Sequence, residues 1–144
     1  MTSAIKPRLA LVLFSGQFDR VHYGLMMAAA ALAVNRPVTL FFAMTSCRAL
    51  LADRDDQPGW AALEPDSSSS RLPLAADQAL QLQGIAGFAD LLDACLALGV
   101  QIMVCEAGLR VSGLTLADLR PGLQPEPGGL ASFLSDSGGD MLFI

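Results

Sequence analysis

Arg8 opens a short unbroken apolar run, Leu9-Ala-Leu-Val-Leu-Phe14, that stops at Ser15-Gly16. Such a run lacks polar alternation and is too short for a helix. It reads as a strand buried on both faces, the kind found in parallel sheets covered by helices. Asp19 then offers a helix cap, and Val21, Leu25, Met26, Ala29, Leu32 and Ala33 recur at helical spacing until Asn35-Arg36-Pro37 ends the pattern. Pro37-Val-Thr-Leu-Phe-Phe-Ala43 is a second strand, β-branched and aromatic. One helical crossover thus joins two strands, and the chain opens with a parallel βαβ unit.

Working outward, Thr45-Ser46 supplies cap residues for a helix over 47–52, which puts Cys47 in its first turn. From Asp53 to Gly84 the pattern gives way to breakers and polar residues, including Asp53-Arg-Asp-Asp-Gln-Pro-Gly-Trp60 and Glu64-Pro-Asp-Ser-Ser-Ser-Ser-Arg-Leu-Pro73. This stretch is expected to be a lid or a partly disordered insertion, with one amphipathic helix over 75–82 and Trp60 placed to cover a pocket. Phe88 to Leu98 is helical and ends at Gly99, whose missing Cβ suits a left-handed C-terminal position. Val100-Gln-Ile-Met-Val-Cys105 is the third strand, passing at Cys105 into a loop, Glu106-Ala107-Gly108. Thr115 to Leu119 makes a short helical turn, and residues 122–126 a weak strand that Pro125 confines to a sheet edge. Residues 129–135 have helical spacing, and Met141 to Ile144 reads as a last buried strand.

At 144 residues the chain is expected to be one α/β domain spanning residues 1–144. Its hydrophobic content of 53% against 16% charged residues exceeds that of an average soluble domain, and a subunit interface is expected to take up part of the surplus. No segment supplies the roughly 20 apolar residues a bilayer span needs. The first apolar run is read as a strand and not as a signal peptide, because no small-residue cleavage pattern follows it. A net charge of −5 argues against nucleic acid as a partner, since phosphate-backbone binding needs a concentrated basic face. Three cysteines without tight spacing make neither a disulfide framework nor a zinc site. Reduced thiols in the cytoplasm fit best.

In open parallel sheets, ligands bind beyond the carboxyl ends of the strands. Three groups of residues gather on that rim: Ser15-Gly16 after the first strand, Ser46-Cys47 after the second, and Cys105-Glu106-Ala107-Gly108 after the third. A thiol beside backbone N–H groups is stabilised as a thiolate, the nucleophilic form. Cys105 is the leading candidate and Cys47 the secondary one, whereas Cys95 sits in an apolar helical stripe and is read as packing. His22, the one histidine, stands near the start of the first helix as a candidate base or anion partner, although a capping or surface role is the plainer reading. Neither G-x-G-x-x-G, nor a Walker lysine, nor Cys-x-x-Cys occurs, so nucleotide binding and thioredoxin-type redox chemistry lose support.

The strand ending Leu-Val-Leu-Phe-Ser-Gly16, the strand Val38-Thr-Leu-Phe-Phe, the stretch Leu98-Gly-Val-Gln-Ile-Met-Val-Cys-Glu106, and Gly113-Leu-Thr-Leu-Ala-Asp-Leu119 resemble the DsrE/DsrF/DsrH-like sulfur-relay family in order and spacing. Gly128-Gly-Leu-Ala-Ser-Phe-Leu134 also resembles that family's glycine-rich turn and helix before a final strand. The resemblance spans nearly the whole chain outside residues 53–84. It implies a three-layer α/β/α sandwich on a mostly parallel five-stranded sheet, assembled into oligomers. It also implies that Cys105 matches the cysteine that carries persulfide sulfur, with small residues, Ala107 and Gly108, beside it to admit a partner. Sulfur would pass between rhodanese-like donors and TusA-like acceptors without a metal or organic cofactor. Two other classes compete: a non-catalytic binding or assembly module, and a peroxiredoxin-like thiol redox protein that would need Cys47 and Cys105 close together.

Overall fold

The computed structural model describes residues 6–136 and 138–144. β1 (Leu9–Leu13), α1 (Phe18–Ala33) and β2 (Val38–Phe42) form the opening βαβ unit, and α1 stops where Asn35 takes a left-handed φ of 65° before Pro37. A 3₁₀ helix over Met44–Leu50 follows β2, and a second 3₁₀ turn over Gly59–Ala62 leads towards α2 (Pro73–Leu82). Then come α3 (Phe88–Ala97), β3 (Gln101–Cys105), α4 (Glu106–Val111), β4 (Glu126–Gly128), α5 (Leu130–Asp136) and β5 (Asp140–Phe143).

The strand order is β4-β3-β2-β1-β5, and every neighbouring pair runs parallel. Four strands of four or five residues make the body of the sheet, and the three-residue β4 is added outside β3. The connections from β1 through β4 step one way across the sheet, whereas the last crosses from one edge to the other. Crossovers of one hand place the forward connections on one face and the return connection on the opposite face. Side chains alternate along each strand, so the core divides into two layers. Leu9, Leu11, Leu13, Leu40, Phe42, Ile102 and Val104 pack with α1 and α3. Ala10, Val12, Phe41, Ala43, Met103 and Cys105 pack with Phe133 of α5. This is one α/β unit on a parallel sheet, with layering consistent with a three-layer sandwich.

Several boundaries differ from the expectations above. Gln17, not Asp19, is the N-cap of α1, and its own N–H donates to Ser15 Oγ at 3.1 Å. Asp19 instead accepts from the Ser67 N–H at 2.8 Å and ties down the 66–70 turn. The strand placed at 122–126 begins only at Glu126, because Gly122 (φ 85°) and Gln124 (φ 50°) are not extended. The last strand is at an edge and all four of its residues are exposed, so it is not the buried strand expected. Residues after Cys105 pass straight into α4 rather than into a loop. Trp60 does not cover a pocket: it is buried, 5.1 Å from the Phe88 ring and 5.8 Å from that of Phe18. The 75–82 helix is present as α2, starting two residues earlier with Pro73 in its first turn, where a missing N–H costs nothing.

Candidate functional site

The rim of the sheet is closed by tight packing. Gly16 is buried because a Cβ there would overlap Thr45 Oγ1 in the 3₁₀ helix after β2 and would lie 3.1 Å from the Glu64 carboxylate. Glu64 N–H donates to the Gly16 carbonyl at 2.8 Å, and Phe18 N–H donates to the Glu64 carbonyl at 3.0 Å, so Glu64 stitches itself to the first rim loop through an isolated bridge. Phe14 and Ser15 donate to the Ile144 carbonyl at 2.8 and 3.3 Å, which closes the crevice between β1 and β5. Ser15 thus supports a turn, and Gly16 supports a close approach.

Ser46 is fully buried and its hydroxyl lies 2.5 Å from the Leu13 carbonyl and 2.7 Å from that of Ala43, where it donates. It locks the 3₁₀ helix onto the ends of β1 and β2 and caps no helix. His22 does not reach the rim. It faces the core from α1, packs 5.6 Å from the Phe18 ring, and places Nε2 2.9 Å from the Ala86 carbonyl. Gly108, read as room for a partner, is filled from inside: a Cβ on it would lie 2.5 Å from Met44 N and 2.9 Å from Met44 Cα. Its smallness lets α4 lie against the 3₁₀ helix. Glu106 and Ala107 are exposed on the outer side of α4.

The three cysteines are all reduced and buried, but their surroundings separate them. Cys47 is in the middle of the 3₁₀ helix, not in the first turn of an α-helix, and its thiol donates to the Phe42 carbonyl at 3.4 Å. Burial, with the nearby charge of a Cys105 thiolate, pushes its pKa up to about 12, outweighing the main-chain N–H groups of Cys47 and Cys105 that favour the anion. The thiolate expected from a helix first turn is therefore not favoured at Cys47. Cys95 is pushed up to about 11 by burial alone and lies 3.7 Å from the Leu25 carbonyl. Both are locked as thiols near neutral pH.

Cys105 is different in position. It ends β3, is the N-cap residue of α4, and retains 7% of its surface. Its side chain belongs to the thin layer under α5, with Phe41, Ala43, Met103 and Phe133, while Cys47 belongs to the thicker layer on the other face. The structure thus brings Cys47 near the main chain of Cys105 but directs the two side chains into different layers. Gly128 stands in register with Cys105 across the β3–β4 pair, and the two positions share one face. Met44, which the sequence reading did not single out, packs against the same layer as this thiol, and Phe133, quoted there only within the resemblance, belongs to it. The near pairing of two glycines ahead of a helix was the available signal. A cleft of about 510 Å³ between residues 51–62 and 114–118 contains none of the cysteines. Among the described residues no group of metal-ligating side chains is assembled, and no helix is long and apolar enough to cross a membrane.

No protein-family profile matches the chain, and no curated protein matches its sequence. Solved structures do match. The crystal structure of the ychN protein from E. coli superimposes with a TM-score of 0.62 at 17% identity, covering 97% of this chain and 100% of that one. The chain shares its fold with that protein. At this identity the likeness speaks for the architecture alone.

Proposed function

We propose that this chain is a cytoplasmic sulfur-relay protein of the DsrE-like kind that carries sulfur as a persulfide on Cys105. The observation that carries the reading is the contrast among the thiols: Cys47 and Cys95 are fully buried with pKa values raised to about 12 and about 11, and Cys105 alone stands at the carboxyl end of a strand with part of its surface open. The fold shared with the ychN protein and the sequence resemblance support it. In the loading step the Cys105 thiolate attacks the outer sulfur of a donor persulfide. A new S–S bond forms, the donor S–S bond breaks, the donor leaves as a thiolate, and the proton on the outer sulfur is retained. Delivery repeats the displacement: an acceptor thiolate takes the outer sulfur and Cys105 leaves as the thiolate. No net oxidation occurs, so no cofactor is required. Rhodanese-like donors and TusA-like acceptors are the partners the resemblance implies.

Mass spectrometry of reduced protein incubated with a persulfide donor tests this directly. One added sulfur, about 32 Da, is expected on wild type and on Cys47→Ser, and none on Cys105→Ser. An adduct that persists in Cys105→Ser refutes the assignment.

The assembly-module reading is favoured by a different observation. Phe14 and Phe143 stack at 5.5 Å on the β5 edge, where both remain exposed beside Met141 and Leu142. A homo-oligomer closing that edge would shield it, and sedimentation of wild type against Phe143→Asp reads the difference. The redox reading loses support, because a disulfide needs two Cβ atoms within about 4.5 Å, and Cys47 and Cys105 point into separate layers.

A further inference from the structure

One helix covers the face of the sheet into which Cys105 points, and it is held unusually lightly. α5 has seven residues, and only Phe133 is buried: its ring lies 4.4 Å from that of Phe41. Leu130 and Leu134 remain 58% and 57% exposed, so they add little to the hold. Glycine pairs flank the helix, Gly128-Gly129 before it and Gly138-Gly139 after it. Gly129 and Gly138 have no atom within 4 Å of where a Cβ would be, so packing does not explain either glycine. Gly139 is pinned instead, with φ 83° and its backbone against Arg8, which fixes the start of β5. At the other end Gly128 is the register partner of Cys105, so α5 leaves the sheet directly beside the thiol.

We propose that α5 is a hinged cover over Cys105, opening about the two glycine pairs by withdrawal of Phe133, and that donor and acceptor thiols reach Cys105 only in the open form. The inference rests on the sulfur-carrier reading for its purpose. The closed form keeps a bound sulfur from water and from stray thiols, and the exchange of partners becomes a question of how often the cover opens. The cleft near residues 51–62 plays no part.

The test is site-resolved alkylation of the native full-length chain with iodoacetamide, read by peptide mass spectrometry at all three cysteines. Cys47 and Cys95 serve as internal controls, because both belong to the layer on the opposite face. In Phe133→Ala, Cys105 is expected to react about 30-fold faster than in wild type or more, while the other two stay protected. A parallel rise at all three cysteines means global loosening and overturns the proposal, as does an unchanged Cys105 rate. Hydrogen exchange on wild type requires no variant to fold. The amides of α5 are expected to be protected by about the same factor as that by which Cys105 alkylation is slowed, and far less than those of α1. Protection of α5 equal to that of α1 also overturns it. Neither measurement uses a persulfide, so a missing sulfur adduct would refute the carrier reading while leaving the cover intact, and the reverse holds equally.

Discussion

Raising the pH should unfold this protein through two thiols that never touch solvent. Cys47 and Cys95 carry pKa values of about 12 and about 11 in the folded chain against 9.0 for an unperturbed cysteine. Below pH 9 both states hold these protons and the thiols contribute nothing to the pH dependence. Above it the unfolded chain releases them while the folded chain retains them, so the native state binds more protons and stability falls as pH rises. At about pH 10.5 each thiol favours the unfolded chain by about 2 kcal/mol relative to neutral pH, about 4 kcal/mol together. That is a large part of the roughly 5–15 kcal/mol that holds a domain of this kind folded. With a urea m-value near 2 kcal/mol/M, the midpoint should drop by about 2 M between about pH 7.5 and about pH 10.5. Replacing both residues, Cys47→Ala with Cys95→Ala, should lower stability at neutral pH by the lost packing yet flatten the alkaline slope, whereas Cys105→Ala should keep most of it. A wild-type midpoint that moves by less than about 0.5 M over this range would refute the reasoning, as would an equally steep fall in the double replacement.

Two further substitutions check the packing that positions the site. Trp60→Ala removes the indole packed against both Phe18 and Phe88 and should cost about 3–5 kcal/mol in urea unfolding, showing that the 53–84 segment helps to build the core. Gly108→Ala puts a methyl against the main chain of Met44, which cannot yield as a side-chain tip can, and should lower stability by about 1–3 kcal/mol, measured by the same assay, while leaving the Cys105 thiol present.

Much of the fold was legible because its signals are local. Leu9–Leu13, Val38–Phe42 and Gln101–Cys105 are short apolar runs, and Pro37 and Gly99 punctuate the helices between them. The misplacements share one physical origin. Whether Ser46 caps a helix or ties two strand ends together depends on which carbonyls lie within reach of its hydroxyl, and those of Leu13 and Ala43 come from tertiary packing. His22 carried the same ambiguity. Its place on α1 was readable, but the Ala86 carbonyl that accepts or orients its ring is brought by a segment 64 residues away. Gly108 looked like space for a visitor because the sequence does not show that Met44 already occupies it.

The ranking of the cysteines shows where such reading stops. Alternation along β3 places Cys105 on the same face as Met103 and opposite Val104, and that much can be counted on a five-residue strand. What the two faces mean cannot be counted, because it follows from strand order. Three connections run one way and cover one face with α1 and α3, while the single return from β4 to β5 leaves the other face to a seven-residue helix. Cys47 falls under the heavy layer and is held as a thiol, and Cys105 falls under the light one. The same topological asymmetry places one sulfur under the heavy layer and the other under the seven-residue α5, so on the proposed cover the accessibility of Cys105 would follow the stability of α5.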